Sequence, residues 1–347
     1  MSSPRAPLRC ALVLALSSTL CGCAAASGSE GQRVQPPGGS PIFAPYVDVT
    51  LTAPFDLEGV AYDAGARGLT LAFITSAGEC QPAWGGQLPI DAPAVLKPAT
   101  RLRSEGVALR VSFGGATGSE LAAACPSVER LAGAYASVLD RYDAAGADFD
   151  LEGATLSDTT AMERRAAAVA RLQATLGRPL AVSLTLPVEP GGLSAPALAA
   201  VRSMIAAGVH VSVVNLLAMD YGGTWTHGQM ARATILAASA AHRQLAVQEP
   251  SLAGWSSLGA TIMVGVNDES GEVFTLADAQ AVAAFAGEHR LGLTSIWSLA
   301  RDNPCEGDRT VAQPTCSGLA EPPYAFSRAF GANSRQGLLT RRAVDTS

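Results

Sequence analysis

The sequence predicts an α/β protein, a parallel (β/α)8 TIM barrel forming a single catalytic domain. Two observations carry that prediction. Short apolar runs alternate with longer Ala-rich amphipathic stretches across residues 44–330, the pattern of strands and helices wound around a parallel sheet. No Gly-rich dinucleotide fingerprint follows the first apolar run, which counts against a doubly wound open sheet.

The apolar runs at 46–51, 69–74, 108–113, 147–151, 180–186, 211–219, 262–266 and 293–297 give eight strands. Their length suits buried strands better than helices. The stretches at 94–105, 128–144, 162–176, 195–207, 230–244 and 276–289 give the helices between them. In such barrels the chemistry gathers where strands end at their C-terminal edge. Five of the eight predicted strands deliver polar or aromatic groups to that edge: Ser112 to Gly115, the carboxylates of the fourth strand, Met219 to Gly222, Asn267 to Glu269, and Trp297.

The N-terminus reads as a targeting segment over residues 1–23. Arg5 and Arg9 precede an apolar run at 11–16 that is too short to span a bilayer, and small residues follow. Leu20-Cys21-Gly22-Cys23 resembles a bacterial lipobox, with Cys23 as the lipidated residue, whereas Ala24-Ala25-Ala26 offers a plain cleavage site. Export is therefore expected, as a lipid-anchored surface protein or as a freely secreted one. Residues 24–43 read as a flexible linker and 331–347 as a disordered tail.

With Cys10, Cys21 and Cys23 set aside, Cys80, Cys125, Cys305 and Cys316 remain. An even number in an oxidising compartment suggests two disulfides. Cys305–Cys316 would close a short Pro/Gly-rich loop, which leaves Cys80–Cys125. His210, His227, His242 and His289 show no metal-ligand spacing, and neither a metal nor another cofactor is expected. The formal net charge of −6 argues against a nucleic-acid surface. A monomer is the expected state.

The most informative stretch is Gly146-Ala147-Asp148-Phe149-Asp150-Leu151-Glu152-Gly153. In an extended strand the three carboxylates share one face and the apolar residues the other. Closely spaced carboxyl groups raise one another's pKa, so one can keep its proton near neutrality and serve as a general acid. A solvated edge strand would show the same alternation. The polar groups at the other strand ends favour a site.

These segments together resemble glycoside hydrolase family 18, the chitinase-type barrel. Its Asp-Gly-x-Asp-x-Asp-x-Glu signature is matched by residues 145–152, with Ala145 in place of the first Asp. Its Ser-x-Gly-Gly is matched at Ser112 to Gly115, its Met-x-Tyr at Met219-Asp220-Tyr221, and its eighth-strand Trp at Trp297. The resemblance implies hydrolysis of β-1,4-linked N-acetylglucosamine polymers or oligomers by a retaining, substrate-assisted route. Glu152 would be the acid/base, Asp150 would orient the substrate's acetamide N–H, and Tyr221 would hold the acetamide oxygen. Asp148 would share a proton with Asp150. Trp297, Met219, Asp220, Ser112 and Gly114 would shape or contact the sugar site. Ala145 stands where the family carries a relay carboxylate, so its effect on turnover is open at this point.

Weaker expectations attach to other residues. Trp84 and Trp225 would be either stacking platforms or surface packing, and Asn215 and Arg301 polar supports for the rim. Two alternatives remain beside a chitinase: an endo-β-N-acetylglucosaminidase acting on N-glycans, and a non-catalytic chitin- or glycan-binding barrel. Few aromatic residues, 5% of the chain, argue against a long processive track.

Overall fold

The computed structural model describes residues 42–51, 56–222, 225–307, 309–332 and 334. The expected leader, the lipidation site Cys23, most of the linker and most of the tail lie outside them.

Among the described residues eight parallel strands alternate with eight helices of two turns or more, besides the single turn Leu121–Ala124. The strands are β1 (Ile42–Phe43 and Tyr46–Asp48), β2 (Gly68–Ser76), β3 (Ala108–Gly114), β4 (Gly146–Asp150), β5 (Ala181–Glu189), β6 (Val211–Leu217), β7 (Leu258–Met263) and β8 (Leu293–Trp297). Each pairs in parallel with the next, and β1 closes the ring. Its first segment pairs with β8 and its second with β2. Pro45, which has no N–H, divides the two segments. The Ala44 N–H still donates to Thr294 and the Pro45 carbonyl accepts from Thr70, so hydrogen bonding continues on both sides. The barrel thus starts at Ile42, two residues before the boundary expected from the sequence.

The helices are α1 (Leu57–Ala64), α2 (Pro93–Ser104), α3 (Val128–Arg141), α4 (Thr159–Thr175), α5 (Ala195–Ala206), α6 (Met230–Gln248), α7 (Leu276–His289) and α8 (Ala325–Ala332). Several starts are explained by their caps. Ser127 accepts from the Arg130 N–H at the head of α3, Asp158 from Ala161 at α4, and Thr275 and Asp278 form a reciprocal capping box at α7. The first and last helices carry no long apolar period, and the sequence reading passed over both.

Strand alternation sorts side chains between two layers. Outward-facing Phe113 and Phe149 stack at 5.5 Å and meet Tyr135 of α3 edge-on at 4.9 and 5.2 Å. Inward-facing residues are unusually polar: Ser112, Asp148, Asp150, Ser183, Thr185, Asn215 and Thr261 are all buried. β7 begins four residues earlier than the sequence run suggested, and residues 265–266 leave it to form a hairpin with Val273–Phe274. Gly265 causes the break. Its φ is +76°, and a Cβ there would lie 1.9 Å from the Ser317 carbonyl oxygen.

Both disulfides take the expected connectivity. Cys80–Cys125 joins the loops after β2 and β3, with Cα atoms 4.6 Å apart, and Cys305–Cys316 closes the loop after β8 at 5.0 Å. Both therefore brace loops on the C-terminal rim. By loop entropy alone the first, spanning 45 residues, would contribute about 4 kcal/mol. The adjoining turn is fixed further by Glu120. It accepts from Ala122 and Ala123 N–H groups and forms a buried ion pair with Arg165, Oε2 to Nη2 at 3.0 Å.

Trp84 is fully buried, with its Nε1–H donating to the Tyr142 hydroxyl at 2.9 Å. It is therefore core, not the platform or surface residue expected. Trp225 is half-buried against the core.

Candidate active site

β4 ends at the C-terminal rim, and extended backbone at Glu152 (φ −128°, ψ 161°) continues its alternation past the strand. Asp148, Asp150 and Glu152 therefore climb one inward face, from the barrel interior to the rim. Register places Asp148 beside Ser112 of β3 and Ser183 of β5, and Asp150 beside Gly114 and Thr185.

Asp148 is almost wholly buried and receives four hydroxyl groups. Tyr46 (2.8 Å) and Ser112 (2.6 Å) donate to Oδ2, and Thr185 (2.7 Å) and Ser183 donate to Oδ1. With four donors its acceptor sites are filled. Asp150, next up the same face, is perturbed by Glu152 above it and Asp148 below it. Tyr46 stays a neutral donor, because burial and then the charges of Asp148 and Asp150 push its pKa far up.

Asp150 is held well above the usual carboxylate range, first by burial and then by the charges of Glu152 and Asp148. Its Oδ1 is buried without a hydrogen-bond partner. Glu152, half-buried, is also raised. Burial is the main cause and the charge of Asp220 the second, while the hydrogen bond with Asp150 pulls it down. The repulsion that raises the Glu152 pKa thus comes from the loop after β6, not from its strand neighbours as the sequence suggested. Asp150 and Glu152 titrate as a coupled pair, both shifted upward.

Asp220→Asn is expected to move the alkaline limb of the pH–rate profile to lower pH. The acid must be protonated to act, and removing the Asp220 charge weakens its hold on that proton. A kcat pH profile of the variant checks this.

The neighbouring motifs serve close approach. A Cβ at Gly114 would sit 2.1 Å from the Asp150 carbonyl oxygen, and the Gly115 N–H donates to that same oxygen at 3.0 Å. Gly114 and Ser112 are both buried and pack against Asp150 and Asp148, so they shape the carboxylate row. Ala145 lies three residues before Asp148, with its N–H on Leu109 and its carbonyl on Ala181. At about 3.3 Å per residue it is about 10 Å down the strand.

Tyr221 is buried, with its hydroxyl 3.5 Å from Thr234, and burial raises its pKa far above the ordinary value. Met219 is half-buried and Asp220 exposed; Asp220 adopts the left-handed region at φ 53° and accepts from the Glu269 N–H at 3.4 Å. Trp297 is half-exposed. It stacks on Phe73 at 5.3 Å and meets Tyr46 edge-on at 6.1 Å. Beside it lies a cavity of about 210 Å³, lined in part by Asp48, Met263, Asp268 and Arg301. Arg301, buried, donates to the carbonyls of Val264 (2.8 Å), Val266 (2.5 Å) and Gln313, tying two rim loops together. Asn215 donates to Thr185 (3.0 Å) and Thr261 (2.7 Å) inside the barrel. Arg301 is thus the rim support the sequence suggested, whereas Asn215 supports the barrel interior instead of the rim.

Sequence reasoning missed Tyr46, Phe73, Ser183, Thr185 and Glu272. Tyr46 and Phe73 sit in apolar runs that look like ordinary core. Ser183 and Thr185 alternate with apolar residues along β5, a signal that could have placed them inside. Glu272 is fully buried, and neither carboxyl oxygen makes a full hydrogen bond, although the N–H groups of Asp220, Tyr221 and Gly222 face it at longer range. Burial, then the Asp220 charge, pushes its pKa up to about 7. A raised carboxyl pKa favours folding fully below the unfolded value, and that contribution is lost as pH rises through the folded one. Glu272→Gln should therefore stabilise the protein by about 3 kcal/mol at pH 8 relative to its effect at pH 4, as read by denaturant unfolding at the two pH values.

No family model matches the chain. It is 35% identical over 316 residues to a probable bifunctional chitinase/lysozyme of Escherichia coli K12, covering 85% of this chain and 35% of that protein. It is 35% identical over 279 residues to endochitinase 11 of Metarhizium anisopliae, covering 76% and 53%. The chain thus spans about a third to a half of the length of these curated relatives. Among solved structures, active domain 2 of the Pyrococcus furiosus chitinase is 33% identical with a TM-score of 0.74, covering 85% of this chain and 96% of that domain. More distant chitinases of glycoside hydrolase family 18 share the fold. With that match over the whole length of a solved domain, and with the carboxylate row on the fourth strand, this chain belongs to the family 18 chitinases.

Proposed function

We propose that the protein hydrolyses β-1,4-linked N-acetylglucosamine chains with retention, using the substrate's own acetamido group as nucleophile. The observation that carries this reading is the Asp150–Glu152 pair. The two carboxyls lie two residues apart on one face at the end of β4, and each perturbs the other's titration. The unpartnered Asp150 Oδ1 suits an N–H donor brought by the substrate.

In the proposed sequence Glu152 gives its proton to the glycosidic oxygen as the C1–O bond breaks. The acetamido carbonyl oxygen bonds to C1 and forms an oxazolinium ion. Asp150 accepts the acetamide N–H and balances the positive charge, which a charge close by in a water-poor site does effectively. Tyr221 donates to the acetamido oxygen and keeps it in line. Water then adds to C1 and yields a proton to Glu152, the oxazolinium C–O bond breaks, and the configuration at C1 is retained. Trp297 offers an apolar ring face to the sugar.

The relatives' names support the substrate class, and one related Pyrococcus furiosus domain was solved with chito-oligosaccharides. Export belongs to the same proposal. The disulfides at the rim support it, since such bonds persist in oxidising compartments, as does the leader-like sequence. The test compares N-acetylglucosamine tetramers to hexamers with their N-deacetylated counterparts. Cleavage of the acetylated series alone is the expected result. Cleavage of both would contradict substrate assistance, and binding without cleavage would favour the glycan-binding alternative.

A further inference from the structure

The hydroxyl cradle around Asp148 extends one residue further down the barrel. Arg110 lies on β3 two residues before Ser112, on the same inward face. Its register partner is Gly146, where a Cβ would come within 2.8 Å of Arg110 Nη1 and 3.0 Å of Cζ. The missing side chain at Gly146 thus leaves a path for the guanidinium across β4. Through that path Nη2 donates to Ser183 Oγ of β5 at 2.7 Å, and Ser183 Oγ is in short contact with Asp148 Oδ1. The Arg110 Nε is buried without a partner.

The direction of this chain is fixed by donor inventory. A guanidinium only donates, and a serine hydroxyl has one hydrogen. Ser183 must therefore accept from Arg110 and spend its hydrogen on Asp148. Tyr46, Ser112 and Thr185 spend theirs on the same carboxylate. We propose that Arg110 is a positioning residue of the catalytic row: from below, its guanidinium orients the Ser183 hydroxyl and through it locks the Asp148 carboxylate beneath Asp150. The charge of Asp148 in that fixed place is one of the causes that raise the pKa of Asp150. The inference rests on the hydrolase reading above.

The test is steady-state kinetics on N-acetylglucosamine oligomers for Arg110→Met, Arg110→Lys, Ser183→Ala and the Arg110→Met/Ser183→Ala double variant. Arg110→Met and Ser183→Ala should each lower kcat about tenfold, the scale of one hydrogen bond to a charged group, with KM within twofold of the parent. Arg110→Lys should recover most of the loss. The double variant should be no slower than Ser183→Ala, since both act through one hydroxyl. Single losses that multiply in the double variant would overturn the proposal. So would parent-like kcat in either Arg110→Met or Ser183→Ala. Should Arg110→Met fail to fold, Ser183→Ala and Arg110→Lys still decide: a parent-like kcat in the former, or a loss in the latter deeper than in Ser183→Ala, overturns it. If the parent itself cleaves no oligomer, the hydrolase reading fails instead.

Discussion

Glu152→Gln is expected to lower kcat on N-acetylglucosamine oligomers about a thousandfold while oligomer binding persists. The amide matches the carboxyl in size and can still hydrogen-bond Asp150, so the site keeps its shape. It cannot release a proton to the glycosidic oxygen, and general-acid catalysis typically supplies factors of about 10²–10⁴. Burial and the Asp220 charge raise the Glu152 pKa in the parent, and neither gives an amide a proton to donate. Turnover assays with calorimetric binding check both halves. A variant keeping a tenth of the parent activity would place the acid elsewhere on the rim.

Asp150→Ala should cost about a hundredfold or more in kcat, because it removes the charge that meets the developing oxazolinium. A second signature separates it from a packing defect. The hydrogen bond with Asp150 pulls the Glu152 pKa down, so its loss should let Glu152 keep its proton to higher pH. The alkaline limb of the pH–rate profile should then move up, opposite to the shift expected for Asp220→Asn. The two pH profiles side by side make the comparison. Limbs moving in the same direction would contradict the electrostatic account.

All eight strands and the alternation of Asp148, Asp150 and Glu152 with Ala147, Phe149 and Leu151 were legible in the sequence, because period-two patterns are local. The Phe149 packing against Phe113 and Tyr135 is what that alternation implies. The disulfides were legible because setting aside the leader left four cysteines, and the short loop between Cys305 and Cys316 chose one of their three connectivities. Partners across strands were not legible. Register decides that Asp148 meets Ser112 and Ser183, and no run of residues announces register. For the same reason the hydroxyls from β1, β3 and β5 that meet the Asp148 oxygens could not be read from the sequence. The role of Asp220 was hidden similarly, since its charge reaches Glu152 through the fold and not along the chain. Gly265 shows a further limit. An apolar run spans it, but the Ser317 backbone passes too close for the strand to continue.

The central claim is that the acetamido group, not a protein carboxylate or a free water, attacks C1 first. Proton NMR of the first products from the N-acetylglucosamine hexamer tests this most directly, recorded before mutarotation. The account predicts β-anomers at the new reducing end, together with no cleavage of the N-deacetylated hexamer. Newly formed α-anomers, or equal cleavage of the deacetylated chain, would contradict it.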